Sequence, residues 1–345
     1  MRRNLLLLFV LCVFLPCVHA QGTWHVVRSN QQKHFAKNIP AGNYSGITRV
    51  DNDVYAMVSD KSDSALYFNV RLYLSKQTGE ILQAEYLGPE GHVDVAGADN
   101  EAIVRVTDST IVVASEGHCR LKEFGLGNRS EREGLWEWHM PASEFYDNYN
   151  FESVAYDSLR QCLWAVPEST MRRDGKAASP SDARRNVLRM LAFDWKKRST
   201  TPTAYLYRTD MPTTMRTAQT YVFGVSELCV LPDGQLLVLE REAFVPKAKI
   251  GAFCQCKLYV VDPSHAVPYD LDKEIEPDAP YMEKHLLTSW STKLGLLNQT
   301  WANYEGMCLG PKLDDGSQVI VLVSDSQDGY AGVLRDWFKT IAISK

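Results

Sequence analysis

The sequence has little helical periodicity, no basic excess and few of the motifs on which common enzyme mechanisms depend. Its 345 residues carry a formal net charge of −5, and acidic residues outnumber basic ones. Without a basic stripe, nucleic acid is not expected as a partner. Only eight histidines are present, which argues against a His-rich zinc site. The motifs Gly-x-Ser-x-Gly, Gly-x-x-x-x-Gly-Lys and His-Glu-x-x-His are all absent. The sequence therefore gives no support to a serine-hydrolase nucleophile elbow, a nucleotide-binding phosphate loop or a zinc metalloprotease site.

Long apolar runs are also scarce, and the one that exists lies at the N-terminus. Arg2 and Arg3 precede an apolar stretch of about 14 residues, and Val18-His19-Ala20 has small side chains where a signal peptidase cleaves. We predict a signal peptide over 1–20, cleaved after Ala20, and a secreted or periplasmic chain. A membrane-spanning helix needs roughly 20 apolar residues, so no transmembrane segment is expected. A retained anchor and lipidation at Cys17 are the alternatives.

Cysteine gives no disulfide prediction. The chain beyond the signal peptide keeps six of the eight cysteines, an even number that suits an oxidising compartment. However, Cys162, Cys229 and Cys308 lie in apolar runs typical of strands, where a thiol behaves as a small hydrophobe. Cys254 and Cys256 are two residues apart and should face the same side of a strand. Metal binding by that pair is an alternative, but no His-rich segment supports it.

What the sequence does contain is a series of short β-type runs. Runs of four to seven residues rich in Val, Ile, Leu, Tyr and Phe are bounded by Gly, Asp, Asn and Pro, which predicts an all-β fold. A helix is predicted only locally, around Ser181 to Arg189.

Five segments share one pattern: an acid or Ser, a small or apolar residue, a strand, a turn, a second apolar strand and an acid. They begin at Tyr44, Asn100, Phe151, Ser226 and Tyr304. Each predicts a β-hairpin, and Pro232-Asp233-Gly234 is a strong turn between two such strands. The first two spacings, 56 and 51 residues, suit one propeller blade of about 40 to 50 residues each.

We therefore predict a single β-propeller domain over residues 21–345, built of four-stranded antiparallel blades. Six blades are favoured and five are the alternative. A sixth blade would lie in the longer gaps, or would be completed by joining Trp24-His25-Val26-Val27 to the C-terminal strands. Such joining closes the ring and removes exposed sheet edges. A β-sandwich or two smaller β domains are the other architectures that fit the pattern.

The repeat also predicts that acids meet at one end of the fold. In an antiparallel hairpin, the residue before the first strand and the residue after the second are neighbours. If the hairpins are the inner pairs of the blades, these residues point toward one mouth of the central channel. The predicted pairs are Glu101 with Glu116, Glu152 with Glu168, Glu227 with Glu240, and Glu305 with Asp325, while the first repeat offers Ser45 and Asp60.

So many carboxylates repel one another unless a positive charge lies among them, and calcium is the cation that suits oxygen ligands. The alternative is structural: each Glu caps backbone N–H groups or bridges to a basic residue of the next blade. The sequence is compatible with both interpretations of the cluster.

Several motifs resemble the phytase-like family, whose domains are described as "esterase-like activity of phytase". They are Tyr44-Ser45-Gly46-Ile47, 150–156, 236–242, and 303–307 followed by 321–325. The resemblance spans about Tyr44 to Ile343. It implies an exported propeller, six-bladed, with a relation to phosphomonoester or ester hydrolysis. The more distant alkaline β-propeller phytases use calcium in an acidic cleft to bind phosphates and activate water.

We also expect a monomer that acts on an anionic small molecule, and the resemblance implies which residues would form its site. The calcium-ligand candidates are Glu101, Glu152, Glu227, Glu240, Glu305 and Asp325. The substrate-binding candidates are Lys61, Arg241, Glu116 and Glu168. The first repeat departs from the pattern, because Ser45 stands where the others have Glu. The alternative function is a non-catalytic propeller that binds a small molecule, a glycan or a protein.

The sequence also contains a Ser/His pair and three glycosylation acceptor patterns. Ser115 and His118 lie close in sequence, a spacing that is usually a coincidence rather than a catalytic pair. Asn43, Asn128 and Asn298 each begin an Asn-x-Ser/Thr acceptor pattern for glycosylation, which matters only in a eukaryotic host.

Overall fold

The computed structural model describes residues 22–60, 66–93, 98–127, 135–146, 149–327, 329 and 334–345. The predicted signal peptide, Lys61 and Asn128 lie outside these residues. Within them, no helix has the length and apolar character needed to cross a membrane.

Four blades are each made of four strands that follow one another along the chain and pair antiparallel. After β1 (His25–Ser29) and β2 (Lys33–His34), blade 1 has β3 (Tyr44–Arg49), β4 (Val54–Ser59), β5 (Leu66–Leu74) and β6 (Ile81–His92). Blade 2 has β7 (Asn100–Arg105), β8 (Thr110–Ser115), β9 (Arg120–Gly125) and β10 (Glu137–His139). Blade 3 has β11 (Phe151–Asp157), β12 (Cys162–Pro167), β13 (Val187–Asp194) and β14 (Thr203–Arg208). Blade 4 has β15 (Thr220–Val230), β16 (Leu236–Val245), β17 (Ala252–Val261) and β18 (Lys284–Leu294).

The fifth blade joins the two ends of the chain. It has β19 (Asn303–Lys312), β20 (Gln318–Asp325) and β21 (Trp337–Ser344), and β1 supplies its outer strand. β1 runs antiparallel to β21, with His25 opposite Ser344, and β2 also pairs with β21. The predicted joining of the N-terminal strand to the C-terminal strands is therefore confirmed.

The strands of the described residues form five sheets, so the five-bladed alternative is confirmed and the favoured count of six is wrong. The long gaps between the later repeats do not contain another blade. They are taken up by the strands of blade 4, which run to 10 or 11 residues, and by loops such as 262–283.

The predicted helix around Ser181 to Arg189 is also wrong. Ser179 and Arg184 form an isolated antiparallel bridge, and β13 has already begun at Val187. Arg189 is fully buried, and its guanidinium is paired with Asp174 at 2.7 Å. That buried ion pair fixes Arg189 in the extended strand, where a local helix would remove it from its partner.

The first strand of every blade lies on the central channel. β3, β7, β11, β15 and β19 each form one end of a sheet and contact one another around the ring. The second strands are buried on both faces, because they lie between neighbouring blades. Their continuous apolar runs follow from this two-sided burial. The hairpins recognised in the sequence are thus the inner pairs of the blades, as the acid prediction required.

Candidate functional site at the mouth of the channel

A β-bulge interrupts every inner strand at the same place. One residue of each strand is left out of the pairing register: Ser45, Glu101, Glu152, Ser226 and Glu305. A bulge leaves its extra residue unpaired and re-aims the side chain. Three of the five bulges therefore present a glutamate at the start of an inner strand, where the channel opens.

The register also identifies which residue in or just after each second strand reaches the mouth. The residues opposite Tyr44, Asn100, Phe151, Val225 and Tyr304 are followed by Asp60, Glu116, Glu168, Arg241 and Asp325. Four blades thus supply an acid at this position, and blade 4 supplies an arginine. The sequence alignment of the fourth repeat was off by one residue, because it matched Glu227 and Glu240 to positions that Ser226 and Arg241 occupy.

A third position at the mouth was not identified from the sequence. An Asn or Asp lies two residues before the bulge residue in four blades, namely Asn43, Asp99, Asn150 and Asn303. The backbone carbonyls of Asp99 and Asn150 accept hydrogen bonds from the amides of Glu116 and Glu168, at 2.8 and 2.7 Å. These bonds extend each hairpin by one residue. The recurrence of Asn or Asp two residues before the repeated Ser or Glu was the signal that would have revealed Asp99.

Arg241 organises one side of the mouth. Its Nη1 donates to Asn303 Oδ1 and to Glu305 Oε1, each at 2.7 Å. Its Nη2 donates to Glu152 Oε2 at 3.2 Å and to Glu168 Oε1. Only 3% of the side chain is exposed, so the pairs are weakly screened. One guanidinium from blade 4 therefore holds three carboxylates, two from blade 3 and one from blade 5.

The opposite side of the mouth gathers three acids that have no contact with Arg241 among the described ion pairs. Asp60, Asp99 and Glu101 each offer a carboxylate oxygen, and these oxygens lie within 4.8 Å of one another. Glu101 is only 8% exposed. Within the described part of the chain, no group donates a hydrogen bond to its carboxylate, and it has no ion pair.

The pKa values reflect this crowding of like charge. Burial raises the pKa of Glu101 well above its ordinary value, and the nearby carboxylates of Glu152 and Glu305 raise it further. Burial, together with Glu168, raises the pKa of Glu116 to about 7. Burial also raises the pKa of Glu152 and of Glu305, although Arg241 opposes the rise in both cases. For Glu116, Glu152 and Glu305, Arg241 thus lowers the pKa but does not offset the effect of burial.

Glu227 lies inside the channel, below the bulges. Its Oε1 accepts from the amides of Val154 at 3.3 Å and Leu228 at 2.9 Å, so it links blades 3 and 4. The corresponding inner-strand positions of blades 1 and 5 are Gly46 and Gly306. A Cβ on Gly46 would lie 2.8 Å from Ala102 Cα, so the strands approach closely enough for one long side chain to fill the centre.

Glu240 faces away from the mouth, into the interface between blades 3 and 4. It accepts from Tyr207 Oη at 2.7 Å and from the amide of Asp210 at 3.0 Å, and it pairs with Lys284. The structure therefore brings Glu101, Glu116, Glu152, Glu168, Glu305 and Asp325 together with Arg241 at the mouth. It places Glu227 beneath them and Glu240 outside the cluster.

The remaining sequence motifs, Ser115 with His118 and the cysteines, make contacts within the fold. Ser115 Oγ lies 3.4 Å from His118 Nδ1, but its hydroxyl donates to the Ala98 carbonyl. The six cysteines of the described residues are all free. The Cys254 and Cys256 sulfurs are 3.9 Å apart in the core between blades 4 and 5.

Comparison with known proteins defines the class. The model of the phytase-like family, described as "Esterase-like activity of phytase", matches residues 39–327. The chain belongs to this phytase-like family, and its fold is a five-bladed β-propeller. A search of curated proteins finds no match.

Two solved propeller structures are similar over nearly the whole length. A virginiamycin B lyase from Staphylococcus aureus is 9% identical, with 92% of this chain and 99% of that chain covered and a TM-score of 0.36. A gluconolactonase from Xanthomonas campestris is 9% identical, with 94% and 99% covered and a TM-score of 0.33. At these values the likeness assigns no function to this chain.

Proposed function

We propose that the mouth of the channel binds a calcium ion and that this ion supports the hydrolysis of a phosphomonoester or another anionic ester. The observation that carries the proposal is Glu101, a buried carboxylate without a hydrogen-bond partner among the described residues, directed at Asp60 and Asp99. A buried carboxylate without compensation is costly, and a cation at this point would compensate it. Membership of the phytase-like family supports the hydrolytic part.

The donor set fits calcium. Calcium takes six to eight oxygen ligands at about 2.3 to 2.6 Å, so two oxygens on one ion lie at most about 5 Å apart. The oxygens of Asp60, Asp99 and Glu101 lie within 4.8 Å of one another. When bound, the ion would supply positive charge to anchor an anionic substrate and to lower the pKa of a bound water.

The chain's own residues would then divide the remaining tasks. Arg241 fixes Glu152, Glu168 and Glu305 in one geometry, which keeps the far side of the mouth rigid. Glu116 is our candidate for holding a proton near neutrality, because its pKa is raised to about 7. Direct contact of Lys61 and Arg241 with a substrate phosphate stays a prediction.

The experiment is a comparison of matched variants of the full chain. Glu101→Gln removes the Glu101 carboxylate from the mouth. Glu123→Gln removes another buried carboxylate, which pairs with Arg198 away from the mouth. Wild type and Glu123→Gln should hydrolyse phytate or p-nitrophenyl esters with calcium and lose activity with a chelator, and Glu101→Gln should be inactive in both. Equal activity of Glu101→Gln and wild type would refute the metal assignment.

A second candidate function is a non-catalytic propeller whose acids act as structural links. The hydrogen bonds of Glu227 and Glu240 within the fold favour this function for those two residues. It predicts no turnover of any ester, with calcium binding either retained or lacking. Turnover that depends on Glu101 would exclude it.

A further inference from the structure

The connection between blades 4 and 5 is a short exposed loop at residues 295–300. The Gly295 amide donates to the Asn298 carbonyl at 2.7 Å, and Leu294 and Gln299 form an isolated bridge that closes the loop. Asn298-Gln299-Thr300 is one of the three acceptor patterns in the sequence. This loop therefore presents an acceptor asparagine at its tip.

The side chains of the acceptor pattern are arranged around one atom. Asn298 Oδ1 accepts from the Thr300 hydroxyl at 2.6 Å and from the Thr300 amide at 3.2 Å. The carbonyl end of the side chain is thus fixed toward the loop. The Nδ2 end donates no hydrogen bond to the described residues, and Asn298 is exposed. The nitrogen that would carry a sugar is therefore directed to solvent.

The same pattern at Asn43 has the opposite environment. Asn43 is 8% exposed, has a left-handed backbone with φ of 48°, and its Oδ1 accepts from Ser326 Oγ at 3.0 Å. It directly precedes inner strand β3 at the mouth of the channel. A glycan there would have to displace the mouth residues, so the structure separates two patterns that the sequence alone leaves equivalent.

The loop also carries an apolar surface that a glycan would cover. Leu296 is 80% exposed and Leu297 is fully exposed, directly beside Asn298. Adjacent apolar side chains at a loop tip favour association between chains. A hydrated oligosaccharide on the next residue would shield both leucines.

We propose that Asn298 is an N-glycosylation site of this protein and that Asn43 is not. The proposal depends on the export expected from the N-terminal sequence, in a eukaryotic host, and goes beyond the ester chemistry. The donor is a polyprenyl-pyrophosphate-linked oligosaccharide. Asn298 Nδ2 forms a bond to C1 of its first sugar as the bond from C1 to the pyrophosphate oxygen breaks. Polyprenyl pyrophosphate leaves with the electron pair, the amide proton passes to a base, and no redox change occurs.

The test is synthesis of the full chain in a eukaryotic secretory system, followed by peptide-N-glycosidase digestion in heavy-oxygen water and mass mapping. We expect the heavy-oxygen Asp label at position 298 and an unmodified Asn43. Asn298→Gln should lose the mass of one glycan on an intact gel, and Asn43→Gln should show no such loss.

An unmodified Asn298 in chains that have entered the secretory compartment would overturn the proposal. So would a chain that never enters that compartment, or a glycan found on Asn43 of the folded protein. Thr300→Ala is the companion variant, because it leaves Asn298 in place and removes the hydroxyl. It should lose the same glycan, and retention of full occupancy would contradict the role given to the Thr300 contact.

Discussion

Arg241→Gln should lower the free energy of unfolding. The loss should be smaller at low pH, where the acids are protonated, and smaller when calcium is bound. In the native protein one guanidinium pairs with Glu152, Glu168 and Glu305 while nearly fully buried. Removing one partner of a buried ion pair costs about 3–5 kcal/mol, because the other partner is left without compensation. That is a large fraction of a total stability of about 5–15 kcal/mol.

The pH dependence follows from the sign of the pKa shifts. Burial already raises the pKa of Glu152 and Glu305, and loss of Arg241 removes the group that opposes the rise. An acid whose folded pKa is raised binds more protons when folded, so its contribution to stability is present below its unfolded pKa and is lost as the pH rises through its folded pKa. The defect of Arg241→Gln should therefore be large at pH 8 and small at pH 5.

The assay is urea denaturation with a chelator and with calcium, at both pH values. With an m-value of about 3 kcal/mol per M, a loss of 3–5 kcal/mol lowers the midpoint by about 1–1.7 M. Calcium at 100 times its Kd should restore about 2.7 kcal/mol, and the increase should exceed that of wild type because the variant has more uncompensated acid.

Arg189→Gln is the matched control. Arg189 is a buried arginine paired with a single carboxylate, Asp174, in the outer part of blade 3. Its loss should destabilise the protein without a calcium response beyond that of wild type. If Arg241→Gln unfolds at the wild-type midpoint in chelator at pH 8, or shows the same calcium response as Arg189→Gln, the reasoning about the mouth is refuted.

Three further predictions concern the channel. Glu227→Ala leaves two buried amides without an acceptor and should lower the free energy of unfolding by about 2–5 kcal/mol, whereas Glu227→Gln keeps a carbonyl acceptor and should stay close to wild type. Equal stabilities of the two variants in denaturation would refute the link that Glu227 forms between blades 3 and 4. Gly46→Ala forces a Cβ against Ala102 and should cost about 1–3 kcal/mol, while Gly295→Ala, with no atom closer than 3.8 Å, should cost less; the reverse order in melting temperature would contradict the tight packing. Because the pKa of Glu116 is raised to about 7, calcium binding should strengthen from pH 5 to 8 and should release protons. A calorimetric binding enthalpy that is the same in buffers of different ionisation enthalpy would contradict this.

The architecture was largely predictable from the sequence because a propeller repeats its inner hairpin. The sequence motifs that contain Ser45, Glu101, Glu152 and Glu305 lie at the start of inner strands, as predicted. The blade count was misjudged because the long strands of blade 4 and long loops such as 262–283 lengthen the spacing between repeats without adding a sheet.

The site was predictable only in part, because side chains alternate between the two faces of a strand. Shifting a strand register by one residue turns every side chain to the other face. The fourth repeat was aligned one residue off, so Glu240 was predicted as the acid of the mouth at the position that Arg241 occupies. Whether Arg241 contacts substrate or serves as a counter-ion depends on contacts between blades, which no single hairpin reveals.

The most direct test of the calcium site is a crystal structure of the full chain grown with calcium and with the data measured for anomalous scattering. We expect an anomalous peak bounded by Asp60, Asp99 and Glu101, with Arg241 still paired to Glu168 on the opposite side. A mouth that shows no peak at calcium concentrations in the millimolar range, with the three carboxylates unchanged, would contradict it.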